Sequence, residues 1–208
     1  MITKKDYFLI SIVGALIGLL ALPVLQNIKL FSTGLTFAKA AIIVVGLAIF
    51  ANIALWVAAL IARVIPVIME IAKFAAIGGL NTLLDLGVLN VLILLTGVAT
   101  GYGYALFKGI SFIVANINSY FWNKYWTFGS QSAASAKEVA EFFAVSVIGF
   151  AINIGVASLI VNFIGAPAGM LAARWANVGA IVATLASLVW NFIGYKVIVF
   201  KKDTVVQA

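Results

Sequence analysis

The chain has 208 residues, 65% of them hydrophobic and only 9% charged, with a net charge of +7 and neither cysteine nor histidine. A soluble domain is about half apolar and a quarter charged, so this is the composition of an integral membrane protein. The missing residue types exclude a disulfide framework, thiolate zinc sites and histidine-based catalytic triads. The basic residues stand singly or in adjacent pairs, mostly at the ends of apolar runs, which is not the pattern of a nucleic-acid binder.

A hydrocarbon core of ~30 Å takes about 20 residues of helix. Residues 7–28 form the first run of that length, uncharged, with Pro23 as a kink near its end. Residues 40–62 are uncharged, residues 74–95 carry only Asp85, and residues 103–122 carry only Lys108. Residues 142–164 and 175–195 carry no charge. Runs this continuous are not barrel strands, and helices alone satisfy their own backbone in lipid. The predicted fold is therefore all-α, a polytopic membrane protein of six transmembrane helices.

Six spans place both termini on one side. That side holds Lys4, Lys5, Arg63, Lys73, Lys124, Lys137, Lys196, Lys201 and Lys202, against Lys29, Lys39, Lys108 and Arg174 on the other. Positive charge is retained in the cytoplasm, so both termini are expected there. The first span is too long for a signal-peptide core and has no convincing cleavage site, so it is expected to remain.

Two stretches resemble each other. "KFAAIGGLNTLLDLG" (73–87) aligns with "EFFAVSVIGFAINIG" (141–155), pairing Phe74 with Phe142, Asp85 with Asn153 and Gly87 with Gly155. "NKYWTF" (123–128) aligns with "YKVIVF" (195–200), pairing Lys124 with Lys196. Each unit holds two helices, so the copies are expected to be parallel repeats. The expected organisation is a two-helix hairpin over residues 1–69 and a four-helix domain over residues 70–208, with repeats at 70–130 and 137–202. Phe8 and Gly14 hint at a third copy no more strongly than chance would.

Asp85 is the sharpest signal, because a carboxylate at depth in a bilayer costs several kcal/mol unless paired or hydrated. Its plainer alternative is a helix–helix contact, with Asn153 as repeat counterpart. Lys108 enters the next helix at an overlapping depth and either pairs with Asp85 or snorkels to the interface; Arg174 holds a similar place before the last helix. Asn116 and Asn123 share a helix face with Tyr120 close to it, while Asn118 points elsewhere. Intramembrane amides seek partners, so they either glue helices together or line a cavity, and Asn81 and Asn191 pose the same choice. Trp122, Tyr125 and Trp126 beside Lys124, and Tyr195 beside Lys196, read either as an interfacial anchoring belt or as a place where lysine meets a lipid phosphate and aromatic faces meet a sugar. Glycines 78, 79, 87 and 149 suit close helix packing. Nothing here makes a nucleophile–base pair, a metal cluster or a phosphate loop, so no catalysis, cofactor or metal is expected.

The stretches "KFAAIGGLNTLLDLGVLNVL", "ISFIVANINSYFWNKYWTF", "EFFAVSVIGFAINIGVASLI" and "WNFIGYKVIVF", in that order, resemble the GtrA-like family over residues 70–202. The resemblance implies a four-helix membrane protein of cell-surface polysaccharide synthesis. Such a protein moves a polyprenyl-phosphate-linked monosaccharide across the plasma membrane or assists the glycosyltransferase that makes it. Two extra N-terminal helices depart from the family pattern and leave open whether the chain acts alone, as a homodimer or on a partner enzyme.

A translocase would use Lys124 and Lys196 to attract the phosphate, Asp85, Asn116, Tyr120, Asn123, Asn153 and Asn191 to guide the sugar, and Lys108 or Arg174 to receive the phosphate outside. A non-transporting glycosyltransferase partner would use Asp85 structurally and dock through its basic ends and residues 129–138. An ion-coupled exporter would need only Asp85, as its titrating group.

Overall fold

The computed structural model describes residues 2–27, 34–98, 100–169 and 172–200. Among them are six α-helices and no strand: α1 (Lys4–Asn27), α2 (Phe37–Ile61), α3 (Val67–Thr96), α4 (Gly101–Trp122), α5 (Ala136–Ser158) and α6 (Ala172–Gly194). Three helices run on into π-helical turns, α4 over Asn123–Thr127, α5 over Leu159–Ile164 and α6 over Tyr195–Val199.

The helix ends follow local chemistry. Thr3 Oγ1 accepts from Asp6 N at 3.2 Å while Asp6 Oδ2 accepts from Thr3 N at 2.9 Å. This reciprocal capping box occupies donors that the first turn cannot use internally. Ser135 Oγ caps α5 by accepting from Glu138 N at 3.1 Å. α3 closes at Gly97, whose φ of 72° is a left-handed conformation that glycine adopts without a Cβ penalty. That helix begins at Val67, earlier than the apolar run that predicts it, so Glu70 and Lys73 ride on its first turns.

Among the described residues, five helical segments are long and apolar enough to cross a membrane: Lys4–Pro23, Phe37–Ile61, Val67–Ile93, Ala136–Ile164 and Ile181–Val199. The sixth expected span, α4, has the length at 22 residues. It is less apolar, because Lys108, Ser111, Asn116, Asn118 and Ser119 lie along it.

By its internal contacts the chain forms two compact units, Met1–Gly129 and Ser130–Ala208. In the first, α1 packs on α2 and α3, and α3 packs on α4, so the N-terminal hairpin is grouped with the two helices that follow it. Gly14 and Gly18, four residues apart, allow α1 to lie against the α2 backbone. A Cβ at Gly14 would stand 2.7 Å from Ala48 Cα, and one at Gly18 2.7 Å from Val44 Cα. With no hydrophobic force between helices in lipid, such close contact is what holds them together, and Asn52 Nδ2 adds a bond across the same pair by donating to Ser11 Oγ at 2.8 Å. Ile10, Val13, Leu55, Ile77, Leu80 and Trp126 form a buried cluster in this unit. In the second unit α5 pairs with α6, and Gly194 seats against Val145 while Gly149 seats against Asn191.

Candidate functional site

In the first unit, polar side chains on α4 meet polar side chains on α3. Asp85 is ion-paired through Oδ2 with Lys108 Nζ, and its Oδ1 accepts from Ser111 Oγ at 2.5 Å. Ser111 is fully buried, while the Asp85 and Lys108 side chains keep 21% and 43% of their surface open, so the pair is not sealed. About two turns along, Asn118 Nδ2 donates to Asn81 Oδ1 at 2.7 Å. Lys108, Ser111 and Asn118 recur at the three- and seven-residue spacing of one helix face, as Asn81 and Asp85 do at four.

Of the amides on α4, the one that reaches across is therefore Asn118, not Asn116. Asn116 Nδ2 donates to Phe112 O at 3.0 Å, within its own helix. Sequence reasoning sets Asn118 aside by comparing it with Asn116 and Asn123, whereas its spacing from Ser111 and Lys108 is the signal that finds it.

At the end of α4, Asn123 and Lys124 are buried, Lys124 completely. Lys124 Nζ lies 5.8 Å from the centre of the Tyr120 ring and 5.9 Å from that of Tyr125, within cation–π range. Asn123 Nδ2 donates to Ser119 O at 2.9 Å, while Asn123 Oδ1 and Thr127 Oγ1 are buried with no hydrogen-bond partner among the described residues. Tyr120 is buried and meets Phe121 edge-on at 5.2 Å.

A second polar cluster, built on Asp6, involves residues that sequence reasoning leaves aside. Its carboxylate pairs with Lys73 Nζ at 2.5 Å, accepts from Trp126 Nε1 at 2.9 Å and accepts from Thr3 Oγ1 at 2.8 Å. Lys73 also lies 5.4 Å from the centre of the Trp126 ring. In sequence, no local pattern around Asp6 announces a bond to a residue 120 positions away. Trp126 is thereby enclosed, at 6% exposure, while Tyr125 keeps 46%. Lys5, Leu9, Phe121, Trp122, Tyr125 and Trp126 line a pocket of about 250 Å³ beside this cluster.

In the second unit, Tyr195 stacks on Phe142 with ring centres 4.1 Å apart, and its hydroxyl lies 2.7 Å from Ser146 Oγ. Asn153 Nδ2 reaches Ser187 Oγ at 3.4 Å. Asn191 Oδ1 is buried without a hydrogen-bond partner among the described residues, and Lys196 Nζ lies 5.7 Å from the Phe192 ring centre. Lys29, Lys201, Lys202 and the side chain of Arg174 lie outside the described residues. The two segments aligned by their lysine endings share a local geometry. Each π-helical turn carries its lysine at the second position and closes with a backbone bond five residues long, Phe128 N to Asn123 O at 2.9 Å and Phe200 N to Tyr195 O at 2.8 Å.

Residues 73–200 match the family described as GtrA/DPMS, transmembrane domain. The chain belongs to this family. The GtrA/DPMS match runs from Lys73, within α3, through the last π-helical turn and leaves α1 and α2 outside it. The uncharacterized membrane protein YngA of Bacillus subtilis (strain 168) is 30% identical over 133 residues, which cover 64% of this chain and 80% of that protein. No solved structure matches. Together with the five apolar helices, membership makes this a multi-pass membrane protein of a GtrA/DPMS type connected with glycosyl-lipid processes.

Proposed function

We propose that this protein carries a polyprenyl-phosphate-linked monosaccharide across the plasma membrane for cell-surface polysaccharide synthesis, without catalysing a chemical step. The observation that carries this reading is the succession of hydrophilic groups along α4. Lys108, Ser111, Asn118, Asn123 and Lys124 extend over about 24 Å of helix, close to the ~30 Å hydrocarbon thickness. A polar headgroup needs hydrogen-bonding partners throughout that depth, whereas its polyprenyl tail stays in lipid. Asn123 Oδ1 and Thr127 Oγ1, without a hydrogen-bond partner among the described residues, lie at the end of this succession.

In this reading α4 is the sixth span, tolerated in lipid because its polar face meets α3, and both termini are cytoplasmic by the distribution of lysine and arginine. The two π-helical endings support a pair of repeats over residues 70–130 and 137–202. Lys108 serves the phosphate outside, while Lys124 is fully enclosed and lies against the Tyr120 and Tyr125 rings. The test is reconstitution of folded protein in vesicles with labelled polyprenyl-phosphate-linked sugar. Transbilayer movement no faster than in protein-free vesicles refutes carriage.

One observation favours a second reading, a non-transporting membrane partner of a glycosyltransferase. Asp85 is already satisfied by Lys108 and Ser111, and Asn118 by Asn81, as helix glue would be. Asp85→Asn then leaves polysaccharide modification intact; loss of modification at normal protein level removes this alternative.

A further inference from the structure

Among the described residues that line the pocket at the end of α4, the one cation is neither Lys124 nor Lys73. Lys124 is fully enclosed, and Lys73 is committed to Asp6 at 2.5 Å. Lys5 is exposed and lines the pocket. It stands there because its neighbour Asp6 is turned inward, held by Thr3, Lys73 and Trp126, and successive helical residues face different ways. The other walls are aromatic. Phe121 and Tyr125 stack nearly parallel with centres 6.3 Å apart, and Trp122 meets Trp126 edge-on at 5.7 Å. Phe121 and Tyr125 are about half exposed, at 48% and 46%.

Building on the carriage reading, we propose that this pocket is where the phosphate-linked sugar head of the lipid is first held. Lys5 is the phosphate partner, and Phe121, Trp122 and Tyr125 are the faces on which the sugar ring lies. A lysine ammonium is a point charge suited to phosphate, and amphipathic aromatic side chains sit at headgroup depth. At about 250 Å³ the pocket lies below the usual ligand-site range of ~300–1,000 Å³, a size for one sugar rather than an oligosaccharide. Both Lys5 and the Asp6 that positions it belong to the hairpin outside the GtrA/DPMS match, so the added helices supply part of the binding site.

The experiment uses the full chain in phosphatidylcholine nanodiscs, titrated with farnesyl-phosphate-linked glucose and followed by tryptophan emission. Farnesyl phosphate, octyl glucoside and phosphatidylglycerol serve as comparison ligands. The sugar-phosphate probe binds more tightly than each of these. Lys5→Gln weakens it about five-fold, the usual effect of one lysine near an anionic headgroup, and Lys4→Gln does not. Phe121→Ala weakens the sugar-phosphate probe more than farnesyl phosphate. Equal binding by Lys5→Gln and the unaltered chain, or displacement by phosphatidylglycerol at the same concentration, overturns the proposal, the latter marking an ordinary lipid site. Probe binding that depends on Lys5 while vesicles show no accelerated movement refutes carriage but leaves the pocket standing. Accelerated movement with binding indifferent to Lys5 refutes the pocket alone.

Discussion

Replacing Asp6 by alanine should destabilise the first unit strongly for so small a change. The carboxylate is paired with Lys73 at 2.5 Å, with the two side chains only 9% and 13% exposed. Removing one partner of a pair this enclosed leaves the other charge without compensation, which costs ~3–5 kcal/mol. The Trp126 indole N–H loses its acceptor at the same time, but the two losses fall on one contact group and do not simply add. We expect about 3 kcal/mol for Asp6→Ala. Lys73→Met removes the stranded charge, so the double variant should recover at least ~1.5 kcal/mol relative to the sum of the single costs, because enclosed pairs are often replaced by apolar groups at little net expense. Equilibrium unfolding in mixed micelles with increasing dodecyl sulfate, followed by far-ultraviolet circular dichroism, measures all three without depending on the emission of Trp126. A cost below about 0.5 kcal/mol for Asp6→Ala, or costs that add to within ~0.5 kcal/mol in the double variant, would refute the reasoning.

Gly14→Ala should cost ~1–3 kcal/mol in the same assay, because its Cβ would stand 2.7 Å from the backbone of α2. Gly46→Ala, whose Cβ meets nothing within 4 Å, should instead gain about 0.5–1 kcal/mol from helix propensity. Tyr195→Phe keeps the stack on Phe142 and loses the bond to Ser146, so about 1 kcal/mol is expected. Phe142→Ala removes the stack itself, in a fully buried position, and should cost ~3–5 kcal/mol. Asp85→Lys and Lys108→Asp should each lower the amount of folded protein in membranes, and the charge-swapped double variant should restore it, read by size-exclusion chromatography of the solubilised chain.

Helices long enough for a bilayer are legible from apolar run length alone, because lipid leaves the backbone no alternative. The sequence places Asp85 and Lys108 at overlapping depths on consecutive helices for a similar reason, but leaves pairing and snorkelling equally open, and the geometry decides for the pair. Asn118 needed a finer comparison, since its partner depends on the rotation of α4 against α3 and not on how apolar either helix is. Asp6 and Lys73 were hidden by their positions near apparent helix ends, where a charge ordinarily meets water. Lys73 lies inside α3 because that helix starts seven residues before its apolar run. The π-helical endings have no composition of their own, and only the recurrence of an aromatic-flanked lysine marks where they fall. Gly14 resembled a trace of a third repeat, yet with Gly18 its role is steric.

The glycine contact between α1 and α2 joins neighbours in sequence and asks nothing of any later residue. During synthesis, once both helices have left the ribosome, they can clasp in the bilayer before α3 has been made. α3 would then enter beside a finished surface instead of searching among loose helices, and the N-terminal pair would act as an assembly template for the part of the chain that follows.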